Sequence, residues 1–164
     1  MKRILIAVMF LGFASPCFAK AYYAPKEEMI QKTECIVIVE ITKVEEAEKK
    51  GKSWTYSQKA SATVKRCLKG DAKGGIEIYG MENFICAQYR FEKGTFLLFL
   101  RKEEGFWVGS NWHLGIRPIT KDKVEWFKDD EARFEMKETP LDDVIGEIKQ
   151  VIEEQKEKTP NKTN

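Results

Sequence analysis

Histidine is the scarcest resource in this chain: His113 stands alone. That count excludes a metal centre built from several imidazoles. None of the cysteines sits in CxxC or comparably close spacing, so a structural zinc site is not expected either. No G-x-S-x-G elbow surrounds any serine, which removes the usual local signature of an α/β-hydrolase nucleophile. The longest apolar run, residues 4–14, falls short of the ~20 residues that span a bilayer. No internal repeat and no linker-like stretch divides the chain, so one domain is expected.

Charge of one sign is also missing once the N-terminus is considered. The opening "MKRILIAVMFLGFASPCFAKA" has a basic start, an apolar stretch and then small residues, the order of a secretory signal peptide. Cleavage is expected after Ala19 or after Ala21. The whole chain carries 28 basic and 26 acidic residues; removing Lys2 and Arg3 leaves 26 and 26, and removing Lys20 as well leaves 25 and 26. A balanced mature chain offers no broad electrostatic pull on phosphate backbones, so nucleic acid is not an expected partner. About 140 residues remain, enough for a real hydrophobic core.

Export also frames the cysteines. Cys17 leaves with the signal, and Cys35, Cys67 and Cys86 remain. An oxidising compartment favours one pair and one leftover thiol, and counting leaves all three pairings open. Cys35 opens the first strand and Cys67 ends the second, so a hairpin can bring them close. Cys86 lies in a loop, where disulfide geometry is easier to satisfy than between directly opposed strand residues. The expected pair is therefore Cys67 with Cys86, leaving Cys35 as a buried thiol.

Patterning supplies the elements. "YYAPKEEMIQKT" places Pro25 and acidic residues where a short helix would begin. In "ECIVIVEITKVEEA", Val37, Val39 and Ile41 share one parity and Ile36 and Ile38 the other, which predicts a strand buried on both faces. "EEAEKKGKS" reads as a charged loop. Trp54, Tyr56, Ala60, Ala62 and Val64 then alternate with polar residues, predicting a half-exposed strand. "IEIYG" is a short third strand. "GTFLLFLRK" and "GFWVGSNW" form a hairpin about "KEEG", with Phe96, Leu98 and Leu100 on one face and Leu97 and Phe99 on the other. "KVEWF" is a further short strand after a turn at residues 120–122. Finally, Leu141, Val144, Ile145, Ile148, Val151 and Ile152 mark one stripe of an amphipathic helix begun by Thr139 and Pro140. From Lys156 onward a disordered tail is expected. Some five strands with little helix between them predict a mainly β fold, a small closed or nearly closed barrel plugged by the terminal helix, because closure removes exposed edges.

"TECIVIVEITKV", "ATVKRCLKGD" and "FEKGTFLLFL" in that order, with a cysteine shortly before the last, resemble the exported OB-fold domains of the TIMP-like, netrin-like group, the relatives of the tissue inhibitors of metalloproteinases. "GIRPI", "DKVEWF" and "PLDDVIGEI" resemble bacterial members. The resemblance covers most of the mature chain, residues 20–155. It implies a five-stranded OB-like Greek-key barrel with a short N-terminal helix and a C-terminal amphipathic helix. In the inhibitors the mature chain begins with a cysteine that chelates the protease zinc; here the corresponding stretch is Ala21-Tyr22-Tyr23-Ala24-Pro25. Cys86 matches a family cysteine whose N-terminal partner is missing, so inhibition by that wedge is not implied.

The candidate chemistry is sparse. His113 could serve as a base near Ser110 or Cys86 with Asp122 orienting it, but nothing in the spacing demands that constellation. Paired carboxylates such as Glu103 and Glu104, or Asp142 and Asp143, fall at turns or a helix start, where charge is ordinarily solvated. Trp54, Tyr56, Trp107, Trp112, Trp126 and Phe127 either fill the barrel and the space beneath the helix or form a contact face. The expectation is a monomeric, non-enzymatic, exported module without cofactor or metal. It would contact another protein, a protease among the candidates, through Trp54, Trp107 and Trp112; glycan binding is the alternative occupant of that surface. A hydrolase built on His113 ranks last.

Overall fold

The computed structural model describes residues 21–84, 86–130 and 134–158. The expected signal peptide, 1–19 or 1–21, lies almost wholly outside the described residues, as does the end of the expected tail.

Chain order is α1 (Lys26–Lys32), β1 (Cys35–Lys50), β2 (Thr55–Lys69), β3 (Gly75–Glu82), β4 (Gly94–Glu103), β5 (Phe106–Gly109), a 3₁₀ turn (Trp112–Gly115), β6 (Ile116–Thr120), β7 (Lys123–Phe127), β8 (Met136–Pro140) and α2 (Leu141–Lys158). The fold is mainly β, as expected, but its mixed sheet has eight strands rather than five, in the order β1-β2-β3-β5-β4-β6-β7-β8. The extra strands are short and poorly patterned. β6 contains Pro118, and β8 is the polar edge segment "MKETP", whose ladder with β7 substitutes for any hydrophobic alternation.

β1 pairs with β2 along nearly all its length and with β4 from Cys35 to Ile41. β2 pairs with β3, β3 runs parallel to β5, and β5 returns antiparallel to β4. The ladder therefore comes back to β1 through four others, a circuit of five strands. The charged stretch "EEAEKKGKS", expected as a loop, instead continues β1 to Lys50. Pairing with β2 satisfies its backbone, and Lys59 meets Glu45 across the rungs at 2.9 Å. Between β4 and β5, Glu104 (φ 49°) and Gly105 (φ 89°) form a two-residue turn, the geometry that matches strand twist.

Two apolar cores share β1 and β4. Val37, Val39, Ile41, Phe96, Leu98 and Leu100 face Ala60, Ala62 and Ile78 inside the five-strand circuit. Ile36, Ile38, Leu97 and Phe99 face outward against Met29 and Ile30 of α1, Trp126 and Phe127 of β7, and Val144, Ile145 and Ile148 of α2. The predicted parities hold on both strands. The terminal helix, however, roofs the outer core instead of plugging the circuit, because inner side chains already fill that space. Its predicted stripe is the buried one, and it runs past the expected start of the tail at Lys156 to Lys158.

Polar contacts hold the two helices in place. Buried Lys26 bridges Asp130 at 2.7 Å and also pairs with Glu147 of α2. Glu147 in turn accepts the Trp126 indole N–H at 2.7 Å. Lys69 donates to the carbonyls of Ile30 and Gln31 at 2.9 and 2.7 Å, satisfying two groups that the end of α1 leaves open.

Candidate functional site

Three connections meet beyond one end of the circuit. The first is the β1–β2 turn, closed by the Gly51 N–H donating to the Trp54 carbonyl. A Cβ on Gly51 would lie 2.2 Å from a Glu103 carboxylate oxygen, so a larger residue there would push that carboxylate aside. The second is the segment after β3, where Asn83 exchanges hydrogen bonds with the backbone of Thr55 and presents Phe84. The third follows β5: Asn111 (φ 62°) and Trp112 (φ 53°) both adopt left-handed backbone. Asparagine tolerates that conformation; for a tryptophan it is strained, and such strain is concentrated at functional positions. Asn111 holds the turn by accepting from the Ala24 N–H at 2.8 Å and donating to its carbonyl at 3.1 Å.

These connections bring three rings together. Trp54 lies 5.1 Å from Phe84 and 5.8 Å from Trp112, and Phe84 lies 5.2 Å from Trp112, centroid to centroid. Beside them opens a cleft of about 310 Å³, lined among others by Tyr22, Glu28, Trp54, Glu82, Arg101 and Trp112.

Two buried glutamates underlie this end of the molecule in contrasting states. Glu103 accepts from the Tyr56 hydroxyl and the Lys52 N–H, each at 2.6 Å, and pairs with Arg101 at 2.9 Å. Burial would raise its pKa, but the hydrogen bonds from Tyr56 and Arg101 outweigh it and hold the carboxyl below its ordinary range. Glu82 accepts the Tyr89 N–H at 2.7 Å; burial dominates there and pushes its carboxyl up despite that bond and the nearby Arg101 charge. The cleft thus combines aromatic walls, a guanidinium and a carboxyl that resists ionisation.

Of the tryptophans expected to form a surface, Trp54 and Trp112 meet and Trp107 does not join them. Trp107 lies on β5, packs partly against the inner core and sits under the Lys102 ammonium at 4.8 Å. Trp126 and Phe127 are core residues beneath α2, and Tyr56 is buried with Glu103. His113 is exposed, with its ring edge-on to Tyr23 at 5.3 Å. Its pKa is lowered by what burial it has and then by Arg117. Among the described residues no hydrogen bond joins it to Ser110, Cys86 or Asp122; the Ser110 hydroxyl instead accepts from Thr33 at 3.3 Å. Among the described residues no group of three or more His, Cys, Asp or Glu side chains could hold a metal ion, and no helix is long and apolar enough to cross a membrane.

The expected Cys67–Cys86 bridge is not formed. All three cysteines are free thiols, with Cys67 near one end of the 15-residue β2 and Cys86 in the loop beyond the other. Sequence reasoning also missed Phe84, Glu82 and Arg101. A signal existed for Glu82, which continues the inward parity of Ile78 and Gly80 along β3. No comparable pattern marks Phe84, whose place depends on Asn83 docking onto β2.

Family models, curated proteins and solved structures were all compared with the chain, and none matches it.

Proposed function

We propose that this protein is an exported, non-enzymatic binding domain of the TIMP-like, netrin-like kind, built on an OB-like barrel, and that it takes a segment of another protein in the Trp54–Trp112 cleft. The ladder that returns to β1 through β2, β3, β5 and β4 supports the barrel reading. The N-terminal basic, apolar and small-residue order supports export. The observation that carries the binding reading is the convergence of Trp54, Phe84 and Trp112 from three separate connections, one of them in strained backbone, beside a cleft with fixed polar groups. Aromatic anchors with a few placed polar groups are the usual make-up of a recognition site.

The test is selection of a random linear-peptide phage library on the purified mature protein. Enriched peptides are expected to bind the wild type and to lose about tenfold or more in affinity on Trp54→Ala or Trp112→Ala. Trp107→Ala should leave binding unchanged. No enrichment, or equal binding by the Trp54 and Trp112 variants, overturns the cleft as a peptide site. Binding of a glycan array that depends on the same two residues would move the reading to carbohydrate.

A further inference from the structure

We infer that Cys35 and Cys67 are a thiol–disulfide pair, whose oxidised form ties the start of β1 to the end of β2. The pair lies at the end of β2 away from the cleft, so it is independent of what the cleft binds.

Register brings the two together. Val37 faces Cys67 across the β1–β2 ladder, and Cys35 has the same parity as Val37, which makes Cys35 the diagonal neighbour of Cys67. The next rung pairs Ile36 with Lys69, leaving Leu68 as the extra residue of a bulge, and bulges bend and twist the strand that carries them. The Cys67 thiol donates to the Lys69 carbonyl at 3.2 Å, so its sulfur leans away from its own rung and toward the one beside Cys35. Past Lys69 the chain folds directly over Cys35: a Cβ on Gly70 would lie 3.1 Å from the Cys35 Cβ.

Their environments divide the labour. Cys67 is exposed and Cys35 is completely buried. Burial first, and then Cys67 itself, pushes the Cys35 thiol up to about 12, which leaves exposed Cys67 as the first nucleophile. The Cys67 thiolate attacks a sulfur of a disulfide oxidant, either a small disulfide such as glutathione disulfide or that of a thiol oxidoreductase, and expels one thiol. The Cys35 thiolate then attacks the Cys67 sulfur and expels the second thiol. Two S–H bonds are lost and one S–S bond forms; two electrons and two protons pass to the oxidant, which leaves as two thiols.

The experiment incubates the full mature protein with glutathione disulfide, blocks remaining thiols with N-ethylmaleimide, and reads intact mass and a peptide map. The expected product has lost two hydrogens, contains a Cys35–Cys67 bridged peptide and carries the block on Cys86 alone. Cys86→Ser should form the same bridge. Cys67→Ser, a change at an exposed site, should not, and its urea midpoint should be the same with and without oxidant while the wild-type midpoint rises on oxidation. A bridge that includes Cys86, a glutathione adduct that persists on Cys67, or three blocked thiols each overturns the inference.

Discussion

The first half of β1 and the middle of β4 bury both their faces, yet the two cores they share are enclosed in different ways. The inner core is walled mainly by strands that share one backbone ladder, with Tyr89 and Phe91 entering from the connection between β3 and β4. The outer core is roofed by α1, β7 and α2, elements drawn from opposite ends of the chain and held by side chains and a few ion pairs. It even admits a buried guanidinium: Arg117 lies 5.0 Å from the Phe127 ring, with Nε and Nη2 lacking hydrogen-bond partners among the described residues. The difference teaches that losing packing inside should loosen the whole ladder, whereas losing it outside should release the roof first.

The largest effects test that division on adjacent residues of β4. Phe99→Ala removes a fully buried ring stacked on Trp126 in the outer core and should cost about 3–5 kcal/mol in urea unfolding. Leu98→Ala, inside the circuit, should cost about 2–5 kcal/mol. Hydrogen exchange separates them: Phe99→Ala should first lose protection in α1, β7 and α2, and Leu98→Ala across β1 to β5 together. If both variants lose protection uniformly, the two cores are one cooperative unit and the comparison fails.

A smaller effect sharpens the comparison at the polar end of the circuit. Glu103→Gln removes a charged acceptor shared by Tyr56, Arg101 and Lys52 and should cost about 1–3 kcal/mol at neutral pH. Because the folded-state pKa of Glu103 is lowered, its stabilisation exists above the unfolded-state value and disappears as pH falls through the folded one. The difference between wild type and variant should therefore shrink on acidification, in urea midpoints measured from neutral pH downward. A gap that stays constant would show that the charge is irrelevant.

Glu82 should give the smallest effect, and with opposite sign. Its folded-state pKa is raised, so its favourable contribution is present below the unfolded-state value and is lost as pH rises through the folded one. Glu82→Gln keeps an acceptor for Tyr89 while removing the charge, and should stabilise the protein at neutral pH by under about 1 kcal/mol. Destabilisation at neutral pH would mean that the ionised carboxylate is held by its neighbours rather than penalised by burial.

Much of this architecture was legible in advance. The apolar parities of β1 and β4 and the buried stripe of α2 are local patterns with a fixed side-chain period, and the glycine of KEEG marked the hairpin between β4 and β5. β8 and the second half of β1 were not legible, since both are polar strands held by pairing with a neighbour rather than by burial. At the candidate site, Trp54 and Trp112 stood out as large aromatics near turns. Nothing local set Trp107 apart from them, or pointed to Phe84.

The sequence by itself determined the apolar strands and the terminal helix, and that the first half of β1 and the middle of β4 are greasy on both sides, because covalent geometry sends successive strand side chains to opposite faces. Only the tertiary structure decided which face meets the helices, that Cys67 and Cys86 fall at opposite ends of β2, and that three connections bring Trp54, Phe84 and Trp112 together. Those outcomes depend on register and on one bulge, set by pairings between residues far apart in the chain, and no local pattern encodes them.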